Sequence, residues 1–512
     1  MPEHTTLRQY PEPSFGSEAA SPRPISLLEL FHPNGVARQI LVIGGNCPEI
    51  LRPLQCNEIT EDADLVILAP TLAECRTNGW LQAAVHSVSQ SLAADGIGYA
   101  IVPPLRRLRI RKLLYDCDLS IDQAILHVPD QDTSRYLIPL SPAPARYAVS
   151  KLLSLSFHKR LLASVGLCLI GSSKLFQWSL PSAGLLVRRP GARPIFEWLF
   201  RLNSDVNGSV TITTSSRGKE GSVAIHCFPG NSEKPAGVAK ISLKPTERLI
   251  SEAATHGRIG PSACAAGARV PRILSLASLN SHPVLLQTAL CGQSVGALLT
   301  SRSGRLVGIL DRLVSWLESW NRATLTAMPL DVALLEQEIL APAALVAAPF
   351  DAGSEYQRWL KTACDALTGS TMPFVATHND LTMWNLLLGE HGKLGVVDWE
   401  AGRENGLPFV DFFYAVADAI AIARGFTERP KTFEACFVAG GAYERIVGQL
   451  LARLRRVVRV PDEMVDLCFH ACWLHHAANE CRVAEPSDHR PFRKIVEWLA
   501  LNRLRVGSWV RA

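Results

Sequence analysis

Short apolar runs separated by helix-length spacers characterise the first third of the chain. The three runs are Gln39–Ile43, Asp64–Leu68 and Gly98–Val102. Continuous apolar segments of this length predict strands that are buried on both faces, as in a parallel sheet flanked by helices. Two further β-like segments, Ala124–Val128 and Ser134–Ile138, flank a turn and are expected to form a hairpin. The pattern therefore predicts an α/β domain over residues 26–150.

The pattern changes in the second half of the chain. It is rich in β-like segments from Asn207 and largely helical from about Ser294 onward. This order predicts a small sheet lobe at residues 196–293 joined to a larger helical lobe at residues 294–512.

Pro and Gly are dense in Arg188–Pro194, which predicts a boundary inside a connecting segment at residues 151–195. Few contacts are expected to cross such a boundary, so the two halves are predicted to fold separately. Residues 1–25 are polar and rich in Pro and Ser, and they predict a flexible tail.

Composition excludes several classes of protein. Hydrophobic residues make up 47% of the 512 residues and charged residues 19%, as in a folded, water-soluble chain. The most apolar stretch, Leu161–Ile170, is about half as long as a membrane-spanning helix requires. The thirteen cysteines have no framework spacing, which favours the reducing cytoplasm over a secreted, disulfide-bonded protein.

A formal net charge of +5 is too dilute to predict a nucleic-acid surface. The basic residues nevertheless form two clusters, Arg106, Arg107, Arg109, Arg111 and Lys112 in the first and Arg453, Arg455, Arg456 and Arg459 in the second. Apolar residues interleave both clusters, which favours the solvated face of an amphipathic helix. A phosphate-binding patch or a peripheral contact with a membrane is the alternative.

Polar residues suited to catalysis and metal binding lie in two neighbouring segments, Thr377–Leu388 and Gly395–Glu400. His378 and Asp380 precede Asn385 by seven and five positions, and Asp398 follows Asn385 after two apolar strands joined by a turn. That hairpin is expected to bring Asp398 beside Asn385. Phosphoryl transfer requires an oriented oxygen nucleophile and metal ions that neutralise the triphosphate, and carboxylate and amide oxygens are suitable magnesium ligands. The alternative reading is that Asp380 and Asn385 merely cap turns.

This loop resembles the kinase catalytic loop, with the following Asp as the metal-binding residue. Its residue pattern, His-Asn-Asp-Leu-x-x-x-Asn with Asp-Trp-Glu, is similar to that of the aminoglycoside phosphotransferase and choline kinase family. The resemblance implies a bilobal protein-kinase-like fold and transfer of the ATP γ-phosphoryl group to a hydroxyl of a small molecule. It implies that Asp380 is catalytic and that Asn385 and Asp398 bind Mg²⁺, with Glu400 as a further candidate.

The same resemblance gives two residues a structural role. His378 is expected to hold the loop in place, without acting as an acid or base. Asp411, in Leu407–Asp411, is expected to anchor the loop from the next helix.

The sheet lobe is expected to hold the nucleotide. Lys240 lies on the strand-like segment Ala236–Leu243, at the place of the lysine that neutralises the α- and β-phosphates. Glu252, on a predicted helix, is its expected partner. Glu247 competes for that role, but an acid at a helix start is also favoured by the helix dipole.

Two further segments complete the expected nucleotide site. Gly218 and Gly221 lie in a hairpin turn that either covers the phosphates or is an ordinary turn. Residues near Gln287 and Leu290 resemble the hinge between kinase lobes, whose backbone would hold the adenine.

Gly44-Gly45 after a strand faintly resembles the glycine turn of a class I methyltransferase. Two features predict a degenerate Rossmann-like domain without activity. The third glycine is absent, and only about twenty residues separate Gly45 from Asp64, too few for the usual ribose-binding unit.

A Cys- and His-rich segment, Val465–Asn479, is interpreted as a buried helix, because four zinc ligands within one helix are sterically awkward.

The sequence therefore predicts a small-molecule kinase that uses ATP and Mg²⁺. The acceptor is expected to be a sugar, an amino sugar or an amino alcohol. The alternatives are a catalytically idle nucleotide-binding scaffold and a methyltransferase with a kinase-like appendage.

Overall fold

A single mixed sheet runs through the N-terminal half and into the kinase-like part of the chain. The computed structural model describes residues 25–47, 62–77, 79–129, 134–153, 183–203, 208–214, 221–230, 232–244, 246–482 and 490–506. Residues 1–24 of the predicted tail lie outside these ranges, and so does the apolar run Leu161–Ile170.

The strands are β1 Ile40–Ile43, β2 Ala63–Leu68, β3 Leu92–Ala100, β4 Ser120–Val128, β5 Tyr136–Pro139, β6 Ala183–Arg188, β7 Gly208–Thr214, β8 Ser222–Pro229, β9 Gly237–Ser242, β10 Ile273–Leu279, β11 His282–Thr288, β12 Gln293–Ser294, β13 Thr326–Pro329, β14 Thr371–Thr377, β15 Leu386–Leu388, β16 Leu394–Val396 and β17 Arg403–Gly406.

The helices are α1 Leu72–Arg76, α2 Trp80–Ser91, α3 Pro104–Asp116, α4 Pro142–Tyr147, α5 Glu197–Leu202, α6 Arg248–Ala265, α7 Val295–Ser301, α8 Leu306–Thr324, α9 Val332–Leu335, α10 Ala341–Ala347, α11 Gly353–Leu367, α12 Val410–Arg424, α13 Arg429–Phe437, α14 Glu444–Val457, α15 Asp462–Arg482 and α16 Pro491–Asn502. In the part of the chain that the structure describes, no helix has the length and apolarity to cross a membrane.

The sheet contains eleven strands in the order β1-β2-β3-β6-β4-β5-β7-β8-β9-β11-β10. β1, β2 and β3 are parallel, as the apolar runs predict, although β3 begins earlier than expected and ends at Ala100. The predicted hairpin of β4 with β5 is confirmed, with Leu126 opposite Ile138.

The N-terminal strands differ from a doubly wound Rossmann sheet. In the Rossmann order a strand lies on each side of the first one, and the ligand binds where the order reverses. Here β1 is at the edge of the sheet, and no described strand lies beyond it. The described strands therefore do not form the switch point at which a dinucleotide or a similar cofactor would bind.

The expectation that residues 151–195 only connect two separate halves is wrong. Within this segment, β6 lies between β3 and β4 and is antiparallel to both. Next in the sheet order, β5 pairs with β7, with Leu137 opposite Ile212, and Thr214 N–H donates to the Arg135 carbonyl at 2.8 Å. The boundary therefore cuts through a continuous hydrogen-bonded sheet.

One apolar core covers a face of this sheet on both sides of the predicted boundary. Leu28 and Phe31 pack with α5 against strands from both halves, including Leu186, Ile225 and Ile241. The Trp198 indole N–H donates to the Leu30 carbonyl at 2.9 Å. The other face of the N-terminal strands is covered by α2 and α3.

The C-terminal part is mainly helical, as predicted, with its core around α8, α12 and α15. Two small sheets, β12-β15-β16 and β13-β14-β17, lie in this lobe. The first contains the predicted hairpin, with Leu386 opposite Val396. This hairpin fixes the chain on both sides of the candidate catalytic residues.

Candidate active site

The loop between β14 and β15 carries Asp380 and Asn385 and is held by short internal hydrogen bonds. Thr382 N–H donates to the Asp380 carbonyl at 2.8 Å, and Asn385 N–H donates to the Thr382 carbonyl at 3.1 Å. The Asn385 side-chain amide donates to the Asp380 carbonyl at 2.8 Å and to its carboxylate Oδ2 at 3.1 Å. The amide thus fixes the Asp380 carboxylate and leaves the Asn385 side-chain oxygen available as a ligand.

Two buried carboxylates on α12 anchor this loop by accepting hydrogen bonds from its backbone. Asp411 accepts the backbone N–H groups of His378 and Asn379, both at 2.7 Å. Asp418, two turns further along the helix, accepts the Met383 N–H at 2.7 Å and pairs with Arg429, also at 2.7 Å. Burial raises the pKa of Asp411 to about 6, against the opposing effect of its two backbone hydrogen bonds.

His378 connects the catalytic loop to the neighbouring hairpin through a hydrogen bond. Its Nε2 lies 2.9 Å from the Val397 carbonyl, and because a carbonyl only accepts, Nε2 carries the proton. Burial lowers the pKa of His378 to about 4, so the imidazole is neutral near pH 7. The ring thereby links the catalytic loop to the residue that precedes Asp398.

Lys240 joins three elements at the cleft between the lobes. Its ammonium group lies 2.5 Å from the Glu252 carboxylate on α6 and 2.8 Å from Asp398 Oδ1. Burial disfavours the charged lysine, but Asp398 and Glu252 offset this, and the pKa of Lys240 is raised. Burial also disfavours the Asp398 carboxylate, yet Lys240 holds its pKa below the usual value. Glu247, the competing partner, is the residue that precedes α6.

Glu400 lies on the side of Asp398 that faces α6. One carboxylate oxygen from each of Glu252, Asp398 and Glu400 lies within 4.8 Å of the others. Glu400 also forms an ion pair with Arg248, a contact that the sequence alone did not indicate.

The carboxylates fit a divalent cation in type and charge. Asp380, Asp398, Glu252 and Glu400 supply four carboxyl groups against the two positive charges of Lys240 and Arg248. Burial, followed by repulsion from Asp398, raises the pKa of Asp380 to about 7. Carboxylate oxygens short of neutralising charge are the ligands that Mg²⁺ prefers. Asn385, Asp398 and Glu400 are therefore suitable to hold this ion.

The predicted nucleotide-binding residues are placed in part. Gly218 lies outside the described residues, whereas Gly221 adopts a left-handed backbone with a φ of 64° at the start of β8. Gln287 is buried in β11, where it pairs with Val238 of β9. Leu290 follows in the link to β12, and a side chain at Gly395 would meet it at 3.2 Å.

The Cys- and His-rich helix α15 is buried, and Cys468, His470 and Cys472 face the core of the helical lobe. Among the residues that the structure describes, the only group of three His, Cys, Asp or Glu side chains close enough to share a metal is that of Glu252, Asp398 and Glu400. The burial of these side chains confirms the interpretation of α15 as a core helix.

Backbone conformation at Asn379 yields a stability prediction. Asn379 has a φ of 60°, and its side-chain amide donates to the Ala401 carbonyl at 3.0 Å. Asn379→Ala loses this hydrogen bond and puts an unfavourable residue in the left-handed region, so it should cost about 2 kcal/mol. Asn379→Gly loses the bond but tolerates the backbone, and about 1 kcal/mol is expected. Thermal midpoints should fall in the order wild type, Gly, Ala; equal midpoints for the two variants would contradict the backbone argument.

Comparison with known proteins supports the catalytic-loop resemblance. Residues 243–446 match the model of a family described as the phosphotransferase enzyme family. This segment contains Glu252, the catalytic loop, Asp398 and Asp411, and it begins three residues after Lys240. Comparison with curated proteins gave no match.

Several solved structures overlap with part of the chain. An aminoglycoside phosphotransferase from Streptomyces rimosus, in complex with ADP and streptomycin, is 11% identical, with 53% of this chain and 94% of that chain covered and a TM-score of 0.34. A choline/ethanolamine kinase family protein from Mesorhizobium loti is 15% identical, with 58% and 88% covered and a TM-score of 0.33.

The family similarity rests on the match to the family model. Superpositions with TM-scores this low carry no argument of their own. Over residues 243–446 this chain is similar to the phosphotransferase enzyme family, as the residues of the catalytic loop had indicated.

Proposed function

We propose that this protein transfers the γ-phosphoryl group of ATP to a hydroxyl of a small molecule, with Mg²⁺ as the required ion. The observation that carries the proposal is the contact of Lys240 with both Glu252 and Asp398, at 2.5 and 2.8 Å. It joins the sheet lobe, the helix α6 and the hairpin that follows the catalytic loop. Enzymes of this kind use such an arrangement to position a triphosphate beside the metal-binding Asp.

Each residue has a distinct role in the proposed reaction. Lys240 binds phosphate oxygens and is kept in position by Glu252. Asp380 orients the acceptor hydroxyl in line with the phosphoryl group and accepts its proton, while Asn385 holds the Asp380 carboxylate. Bound Mg²⁺, held by Asn385, Asp398 and Glu400, supplies charge neutralisation at the triphosphate.

The intact set of residues favours an enzyme over an idle nucleotide-binding scaffold. A scaffold has no need for a carboxylate at position 380 that is fixed by a side-chain amide, or for the burial that makes this carboxylate basic. The position of β1 at the sheet edge likewise disfavours a working methyltransferase.

Phosphorus NMR tests the proposal. The protein is incubated with ATP, MgCl₂ and a set of candidate acceptors, namely glucosamine, methyl glucoside, choline and ethanolamine. The proposal predicts a phosphate-monoester signal with at least one acceptor, and none when EDTA replaces MgCl₂. ATP that persists unchanged with all four would argue for the scaffold.

Trp384 favours a ring-shaped acceptor. It lies between Asp380 and Asn385 in the loop, 48% exposed, with one face of its indole against Gly296, where a Cβ would come within 2.7 Å of the ring. The indole thus packs against α7 with about half of the side chain exposed, four residues along the loop from the proposed catalytic base. Exposed aromatic rings at concave sites commonly supply flat binding surfaces.

Trp384→Ala should raise the KM for a sugar acceptor about tenfold, because it removes much of an apolar contact worth roughly 1–2 kcal/mol. The kcat should stay within about threefold, since no transition-state contact is lost. Trp384→Phe keeps a ring and should restore most of the affinity. Steady-state kinetics on the best acceptor found by NMR measure both constants; an unchanged KM in the Ala variant would remove Trp384 from the acceptor site.

A further inference from the structure

The outer face of α3 combines positive charge with exposed apolar side chains. Arg107 fixes how the helix is rotated, because it is fully buried and donates to the carbonyls of Val102 at 2.9 Å and Ala183 at 2.7 Å. Ile110 and Leu114 pack on the same inner side. The remaining side of the helix must therefore face solvent.

That solvent-facing side consists of Leu108, Arg109, Arg111, Lys112, Tyr115 and Asp116. Leu108 is 57% exposed and Tyr115 is 82% exposed. Asp116, at the last position of α3, is the helix's only acidic residue. The face therefore carries three positive charges and one negative charge, with Leu108 beside the basic residues and Tyr115 next to Asp116.

Each basic cluster contains charges without an acidic partner among the described residues, but of the two clusters only the one on α3 has large, exposed apolar side chains beside it. On α14, Arg453 pairs with Asp311 at 2.6 Å and Glu318 at 2.7 Å, and Arg455 pairs with Asp462 at 2.5 Å. On α3, neither Arg109 nor Lys112 contacts an acidic side chain in the described part of the chain. The charges of Arg109 and Lys112 therefore remain available to an anionic surface, as do those of Arg456 and Arg459 in the second cluster.

The apolar residues indicate which anionic surface is suitable. A nucleic-acid duplex presents phosphates on its surface but no apolar layer that would take up Leu108 and Tyr115. A membrane presents both, because lysine and arginine bind anionic headgroups while leucine and tyrosine enter the boundary between headgroups and acyl chains. The mixture on α3 is the one that peripheral membrane proteins use.

We propose that the outer face of α3 binds the surface of membranes that contain anionic lipids. The helix lies on the membrane without entering its centre, since its inner face is committed to the protein core. Binding is weak and decreases with salt, because it depends on a few exposed charges. This proposal is independent of the phosphotransferase assignment.

Vesicle sedimentation of the full-length protein tests the proposal. The probes are vesicles of phosphatidylcholine alone and vesicles with 40% phosphatidylglycerol, at low salt. The charge variant is Arg109→Gln with Lys112→Gln. Its matched control is Arg456→Gln with Arg459→Gln, which removes the same charge from the second basic cluster, where both residues are exposed. The apolar variant is Leu108→Gln with Tyr115→Ser, matched by Leu501→Gln, another exposed leucine.

Wild type should sediment only with the anionic vesicles. The α3 charge variant should bind about twentyfold more weakly, since each basic residue near an anionic surface contributes about fivefold. The apolar variant should bind severalfold more weakly, and both controls should bind like wild type. All variants should keep the wild-type thermal midpoint, because the substituted side chains are exposed.

Three results would overturn the proposal: no binding to anionic vesicles, an equal loss in the control with Arg456 and Arg459 replaced, or vesicle binding that the apolar variant leaves unchanged. In the last case, a parallel titration with a single-stranded oligonucleotide would identify the face as a general polyanion site if it binds with the same dependence on Arg109 and Lys112.

Discussion

Asp380→Asn is expected to lower kcat about a thousandfold, the middle of the range for removal of a general base. The substitution keeps the shape of the side chain and the contact with Asn385, so the loop should keep its conformation. It removes only the ability to accept a proton from the acceptor hydroxyl. ATP affinity should change less than about threefold, because Asp380 is not proposed to bind the nucleotide.

Turnover with the acceptor identified by phosphorus NMR measures this effect, and calorimetry measures ATP binding. Asp351→Asn is the matched control, since it makes the same chemical change at an exposed position of the helical lobe. An Asp380→Asn enzyme with more than about a tenth of wild-type turnover would be incompatible with a general base at this position.

A chain that begins at residue 196 is expected to be insoluble or unfolded. The cut removes Leu28 and Phe31 from one face of β7, β8 and β9, and it removes β5 from the edge of β7. Ile225 and Ile241 would become exposed, together with unpaired backbone groups of β7, and surfaces of this kind aggregate. The shared core and sheet therefore predict that the kinase-like part requires the N-terminal half in order to fold.

Solubility on expression and circular dichroism test this expectation. A chain that begins at residue 25 is the control, because it keeps every described strand and should fold like the full-length protein. A soluble, cooperatively unfolding protein from residue 196 onward would show that the shared core is dispensable.

Local patterns predicted the first strands and the site hairpin well, whereas the central strand β6 was missed. Apolar runs indicated β1 and β2, and two short apolar strands joined by a tight turn indicated the hairpin before Asp398. The contact of Lys240 with Glu252 was expected from the resemblance to the lysine–glutamate pair of kinases, with Glu247 as the competing partner. These features depend on residues that are close in sequence.

Long-range pairing could not be predicted in the same way. The pairing of β5 with β7 joins segments about seventy residues apart, and nothing in either strand specifies the other. The Pro- and Gly-rich stretch after Arg188 has the composition of a domain linker, but here it is a turn that follows a central strand. A Pro- and Gly-rich composition indicates that the chain turns, but it does not indicate how many contacts cross the turn.

Asp418 was missed although the sequence contained a signal. It lies seven positions after Asp411, which places both carboxylates on one face of an otherwise apolar helix. Two acids on the same face of a buried helix require partners, and the nearest unsatisfied backbone groups are those of the catalytic loop. Arg248 gave no comparable signal, because a helix-start arginine is usually solvated.

Calorimetric titration of ATP, with and without Mg²⁺, tests the central claim most directly when wild type is compared with Asp398→Ala. Wild type should bind ATP at least about tenfold more tightly when Mg²⁺ is present, since the ion bridges the triphosphate and the protein. Asp398→Ala should bind ATP with nearly the same affinity in both conditions, while Asp365→Ala, a control at an exposed ion pair, should behave like wild type. Mg²⁺-dependent ATP binding that survives unchanged in Asp398→Ala, or no ATP binding by wild type, would contradict the account.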